Sequence, residues 1–256
     1  MTSSLYERTL YLNKDIDYII NSEIREYDLK SAGLSLIKEF QLAPPKAISQ
    51  LELMDKEPRN KEIGMMQKNK GFAEDLKHAF VEARRMFFEA NGIEDSDVLS
   101  IKKDAIFIVR KRCEEQITDN LQFRVKNQYL GYMYLNRVEF YYTSPTDIID
   151  VKGLGPDVQT YHGDYMLDYI RDVFAGAIYS SHNELVKQIC KFVSAYRLNR
   201  LEYGYYRRLD ESFFYDVIDP EVGHMSIKDV DDNEQVTLDI TYNYFNYLVP
   251  IANIFI

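Results

Sequence analysis

The sequence predicts an α+β protein in two parts, a strand-rich first part carrying one long helix and a mainly helical second part. Three observations predict it. Short β-branched runs recur through the first 155 residues, at Ile24–Leu29, Val98–Ile101, Ala105–Val109, Leu121–Lys126, Val138–Thr143 and Ile148–Val151. One strongly periodic segment, Ala73–Asn91, lies among them. From His162 to Tyr205 the pattern turns helical, with Met166, Ile170, Phe174 and Ile178, then Leu185, Ile189 and Phe192. Strands followed by helices read as α+β.

In chain order, Ile24–Leu29 leads into a helical run at Ser31–Phe40, with Ser31 as the expected N-cap. Pro44 and Pro45 end that run, and helical pieces follow at about Lys46–Met54 and Lys61–Lys68. In Ala73–Asn91, Leu76, Phe80, Ala83, Phe87 and Ala90 recur at spacings of three and four, and Gly92 stands where a helix-ending glycine belongs. Val98–Ile101 and Ala105–Val109 read as a tight hairpin with Lys102-Lys103 at its turn. After Val236 the pattern returns to strand, and Tyr244–Ile256 reads as a buried terminal strand or a partner contact.

Composition narrows the function classes. The start of the chain lacks a signal-peptide pattern, and the apolar tail, broken by Asn246, Pro250 and Asn253, is too short to span a bilayer. A soluble, cytoplasmic protein with no membrane partner is expected. Cys113 and Cys190 have no CxxC partner, so a disulfide framework is not expected. His78, His162, His182 and His224 show no ligand spacing. The net charge of −10 argues against nucleic acid only at first sight. Residues 209–239 alone carry −9, whereas Arg59–Arg85 carries +3 and Lys102–Arg112 carries +4. A basic cleft outside the acidic stretch stays open. Arg207 and Arg208 beside the tyrosine clusters allow a modest nucleic-acid patch, and Asp229–Glu234 lacks EF-hand spacing and reads as a solvated turn.

Two segments carry chemistry when taken together. Glu26-Tyr27-Asp28-Leu29-Lys30-Ser31 places an aspartate at the end of a strand entering a helix; Lys102-Lys103-Asp104-Ala105-Ile106 places another just past a hairpin turn. Phosphoryl transfer to a sugar hydroxyl uses two divalent ions held by hard oxygen ligands, and one aspartate on each of two neighbouring strands is the minimum protein contribution. The same residues also read as a strand-end cap and a turn residue.

These segments resemble the palm motifs of the family B DNA polymerases. Asp28, Ser31, Ser35 and Ile37 match the aspartate, both serines and last isoleucine of D-x-x-S-L-Y-P-S-I-I, and Asp104 with Ile106-Phe107-Ile108 matches the second aspartate of Y-G-D-T-D-S and the strand after it. A helix separates the two motifs, as Ala73–Asn91 does here. Lys126-Asn127-Gln128-Tyr129 and Lys152-Gly153 follow in the order of the family's K-K-x-Y and K-G elements. The resemblance implies a polymerase-like palm over residues 1–155, an antiparallel sheet with helices on one face, and a short fingers insertion at about 43–72. Residues 156–256 would form a thumb-like lobe.

It also implies a nucleotidyltransferase that extends a nucleic-acid 3′ end on a primer–template from nucleoside triphosphates. Asp28 and Asp104 would hold Mg²⁺ or Mn²⁺, and Lys126, Tyr129 and Lys152 would contact nucleic acid. Gly33 stands where the family has a tyrosine that rejects ribonucleotides, which leaves that wall open. A triphosphate needs cations; the candidates are Arg59, Lys61, Lys68, Lys70, Lys77 and Arg84, of which Lys77 and Arg84 share a helix face. Lys102 replaces the first aspartate of the triplet and Ala105 its serine, and a fingers motif and exonuclease domain are missing. These departures motivate an alternative, a palm-derived scaffold or interaction subunit that no longer catalyses, with a possible protein partner. A two-metal nuclease ranks last.

Overall fold

The computed structural model describes residues 4–144, 146–153, 165–206 and 241–256. His162, the acidic stretch, Arg207-Arg208 and the strand expected directly after Val236 lie outside them. The architecture is mixed α+β, with antiparallel pairing in the sheet. No helix among the described residues is long and apolar enough to cross a membrane.

The chain divides into two compact units: Met1–Asp15 with Glu23–Gln128, and Ile16–Ser22 with Tyr129–Ile256. The sequence reading placed the division at residue 155. It falls earlier because the strands after residue 129 share a core with the later helices rather than with the first unit, as Met133, Phe140 and Val151 pack with Met166, Ile170 and Phe174.

The first unit is built on strands β1 (Leu10–Leu12), β3 (Val98–Lys102) and β4 (Ala105–Val109), the later half of β2 (Tyr18–Leu29) and the start of β5 (Phe123–Leu135). Their order is β1-β3-β4-β2-β5. Between β2 and β3 come α1 (Ala32–Glu39), α2 (Pro45–Leu53), α3 (Lys56–Met66) and α4 (Lys70–Asn91). The chain thus leaves β2, passes through helices to β3, and returns antiparallel as β4 between them, a split β-α-β arrangement. Helix α4 begins three residues earlier than its apolar periodicity predicts. Asn69 caps it, its side chain accepting from the Gly71 N–H at 3.0 Å, and Gly92 closes it at φ 56°. Ser31 precedes α1 at φ 50° but makes no side-chain cap bond; the Ser35 hydroxyl instead donates to the Lys30 carbonyl at 2.7 Å.

Alternation along the strands sorts the two sheet faces. Tyr27, Leu29, Ile101, Ile106 and Ile108 join Leu36, Ala83, Phe87 and Phe123 in the core on the helix side. Phe87 lies against Phe123 with ring centroids 4.3 Å apart. Ile24, Glu26, Asp28, Ser100, Lys102, Ala105 and Phe107 therefore belong to the opposite face.

In the second unit β5 continues to Leu135 and pairs antiparallel with β6 (Val138–Thr143), which pairs with β7 (Ile148–Lys152). Asn136 and Arg137, both at positive φ, turn the β5–β6 hairpin. Helices α5 (Met166–Tyr179) and α6 (His182–Arg197) pack in this unit's core, α6 capped by a reciprocal Ser181–Glu184 box. The described tail corrects the expected terminal strand. Tyr244–Leu248 is a π-helical turn that continues into α7 (Val249–Phe255). Tyr244, Tyr247, Leu248 and Ile251 recur at helical spacing, the last three fully buried, and Pro250, which has no N–H to donate, stands just after the π-helical turn.

Candidate functional site

Asp28 is the penultimate residue of β2. Tyr27 and Leu29 on either side are anchored in the helix-side core, so Asp28 is directed to the other face. In the ladder it stands opposite Ala105, the residue after Asp104. The β3–β4 turn is one residue later than the sequence suggested. Lys102 pairs with Ala105, so Lys103 and Asp104 form the turn, with Lys103 at φ 57°. A residue at positive φ lets two residues reverse the strand. Strand register and turn together bring Asp104 near Asp28, and the Asp104 charge helps push the Asp28 carboxyl above the ordinary aspartate value. Burial is the larger cause of that shift; Lys126 and Arg124 pull it down, and Glu26 adds to the rise.

Glu26 was passed over in the sequence. It lies two residues before Asp28 on the same face and is only 2% exposed. Its carboxylate accepts from Asn127 Nδ2 at 2.7 Å and pairs with Lys126 Nζ at 3.4 Å. Arg124 Nη2 lies 3.8 Å from the Asp28 carboxylate. The face therefore carries Glu26 and Asp28 on β2, Lys102 on β3, and Arg124 and Lys126 on β5, with Asp104 at the turn. The signal for Glu26 was its i, i+2 spacing to Asp28, which on a strand means one shared face.

The described residues contain no group of three or more His, Cys, Asp or Glu side chains placed to hold a metal ion. Among the described residues of this face, the pair Asp28 and Asp104 is the candidate. Two neighbouring carboxylates whose charges oppose one another fit a hard divalent cation, provided that water and phosphate oxygens complete its shell.

On the helix side, a cavity of about 400 Å³ lies between α4, Thr9 and the β3–β4 turn. Lys77 and Arg84, expected to share a helix face, both line it, together with Phe80, Lys103 and Asp104. Arg84 is buried and donates from Nη1 to the Lys103 carbonyl at 3.0 Å, while its Nε and Nη2 have no partner. Burial alone lowers its pKa. The other proposed phosphate contacts are not gathered there. Arg59 and Lys61 lie on α3, Lys68 in the α3–α4 connection and Lys70 at the start of α4. Gly33 faces Ile63, whose Cδ1 is 3.1 Å from where a Cβ would stand, so α3 fills the space that the missing tyrosine was expected to leave open.

A family model described as bacteriophage PBS1 gene 130 protein matches the chain over residues 1–256. The chain belongs to that family. No curated protein matches it.

Of the residues expected to meet nucleic acid, only Lys126 lies in the first unit. Tyr129 and Lys152 belong to the second. Tyr129 is buried, its hydroxyl donates to Asp150 Oδ2 at 2.6 Å, and Lys152 stands opposite Glu139 in the β6–β7 ladder.

Proposed function

We propose that the first unit is a polymerase-like palm and that the protein is a nucleotidyltransferase, extending a nucleic-acid 3′ end from nucleoside triphosphates. The observation that carries the reading is the register that sets Asp28 of β2 opposite Ala105 of β4, with Asp104 in the turn just before it. The split β-α-β order, with helices against one face, supports it. Asp28 and Asp104 would hold Mg²⁺ or Mn²⁺. Bound there, the ion supplies Lewis-acid stabilisation of the attacking and leaving oxygens. The chain's own part is to fix the two carboxylates, one through a strand locked into the core and the other through a two-residue turn. Arg124 and Lys126, each about half exposed, would meet the phosphates of a primer–template.

A second reading, a palm-derived scaffold without catalysis, is favoured by the Arg124–Asp28 and Lys126–Glu26 ion pairs. They supply positive charge where a metal would. The deciding experiment is extension of a labelled primer–template with dNTPs or rNTPs and Mg²⁺ or Mn²⁺, comparing the natural chain with Asp28→Asn and Asp104→Asn. Extension by the natural chain alone supports the transferase. No extension by folded protein in the presence of metal selects the scaffold.

A further inference from the structure

We propose that the cavity beneath the β3–β4 turn is a binding site for a small phosphomonoester that carries a flat apolar group. Arg84 is 2% exposed, its Nε and Nη2 have no hydrogen-bond partner, and no carboxylate among the described residues acts on its charge. A buried cation left short of acceptors is costly to the fold, and an oxyanion in the cavity that Arg84 lines would offset its charge.

The remaining lining defines the ligand. Lys77 and Lys103 add two cations and Asp104 one anion, so the wall carries a net charge of +2 with Arg84. A phosphomonoester dianion matches that charge. Ala73, Leu76 and Phe80 form the apolar part, and Lys77, Phe80 and Arg84 follow one another at spacings of three and four along one face of α4. The phosphate would lie at the Arg84 end, with the flat group against Phe80. The volume of about 400 Å³ is within the range of small-molecule sites and well above the need of a bare phosphate.

Asp28 faces the other side of the sheet, but the cavity adjoins the chemistry proposed there at the turn, because Asp104 lines it together with Lys77 and Arg84, two of the cations weighed for a triphosphate. Arg84 also holds the Lys103 carbonyl, so occupancy bears on the turn that carries Asp104.

The test is calorimetric titration of the full chain in EDTA with phenyl phosphate and with adenosine monophosphate, against inorganic phosphate and phenol. The absence of divalent ions makes the result independent of nucleotidyl transfer, so failure of primer extension leaves it standing. One-to-one binding is expected, with the organic phosphates at least about tenfold tighter than inorganic phosphate or phenol. Arg84→Lys should lose about tenfold or more through the fork geometry that lysine lacks. Lys77→Ala should lose several-fold, and Phe80→Ala should weaken phenyl phosphate but not inorganic phosphate. If the Arg84 variant does not fold, Lys77→Ala and Phe80→Ala carry the test, since both leave the guanidinium in place. No saturable heat up to about 10 mM ligand overturns the proposal, as does equal affinity of the Lys77 and Phe80 variants and the natural chain.

Discussion

Asp28→Asn should raise the stability of the metal-free protein while removing the proposed nucleotidyl transfer. The side chain is 18% exposed, and its carboxyl pKa is held above the ordinary 3.8 by burial first and by the Asp104 charge next, with Lys126 and Arg124 too weak to reverse the shift. For a carboxyl raised in the folded state the sign is fixed. Its stabilising contribution is complete below the unfolded pKa and is lost as pH climbs through the folded pKa, so at pH 7 the ionised Asp28 costs stability. Asparagine keeps the shape and removes the charge. Relief of one unfavourable charge is expected to give up to about 1 kcal/mol, or a rise of roughly 2–4 °C in melting temperature for a chain of this size. Melts in EDTA between pH 3.5 and 7.5 measure it, and the difference should shrink toward the acid end. Mn²⁺ should then invert the order. At about a hundred times its Kd, an ion bound only by the folded natural chain adds about 2.7 kcal/mol, and Asp28→Asn should gain little. A lower melting temperature for the variant in EDTA at pH 7 would refute the reasoning, because the Arg124 pair would then outweigh the burial and repulsion assigned to Asp28.

Phe87→Ala removes a fully buried ring that lies 4.3 Å from Phe123 and 5.4 Å from Tyr27; a loss of about 3–5 kcal/mol is expected in urea unfolding. Tyr27→Phe takes away the hydroxyl that accepts from the buried Cys113 N–H at 2.8 Å, at a cost of about 1–3 kcal/mol by the same measurement. Gly131→Ala would set a methyl 2.6 Å from Phe174 Cδ1, on a ring stacked against Tyr142. Overpacking of about 1–3 kcal/mol is expected, with the near-ultraviolet tyrosine signal altered. Arg124→Ala and Lys126→Ala should weaken primer–template binding and reduce its salt dependence by about one counterion each; filter binding at several salt concentrations checks this.

The elements that sequence made plain are those whose own residues decide them. The apolar stripe and Gly92 mark α4, and the β-branched runs mark β3 and β4. The hidden elements depend on partners distant in sequence. The start of β2 contains Asn21 and Ser22, and β5 runs through Lys126, Asn127 and Gln128, polar residues held in a strand by ladder pairing rather than by their own preference. The tyrosine-rich tail resembled a strand because aromatic residues favour both sheets and cores, while the spacing of Tyr247, Leu248 and Ile251 settles on a helix. At the site, Asp28 and Asp104 were legible from a strand end and a turn. Glu26 was not, because an acid beside a motif reads as solvated until strand pairing shows it buried. The cavity side of α4 was half legible. The seven-residue spacing of Lys77 and Arg84 gave their shared face, but nothing local distinguishes an arginine in solvent from one that loses its water.

The charges around Asp28 bear on both functional readings. Glu26, Asp28 and Asp104 are matched in number by Lys102, Arg124 and Lys126, a balance that by itself suits a scaffold needing no metal. The balance is unequal in mobility. Glu26 is buried and Asp28 nearly so, fixed on a strand whose other face is locked into the core, whereas Arg124 and Lys126 are 51% and 49% exposed on long stems. Solvated cations of this kind compensate weakly, which is why the Asp28 carboxyl stays above its ordinary value despite two of them. Fixed carboxylates beside movable cations form an arrangement that can exchange partners. When a polyanion approaches, Arg124 and Lys126 can turn to its phosphates at little cost, and the carboxylates they leave behind gain affinity for a divalent ion. A scaffold gains nothing from that exchange, while a transferase that takes up metal together with nucleic acid depends on it. Cooperative binding of Mn²⁺ and primer–template, reduced by Arg124→Ala, therefore separates the two readings even where turnover is too slow to detect.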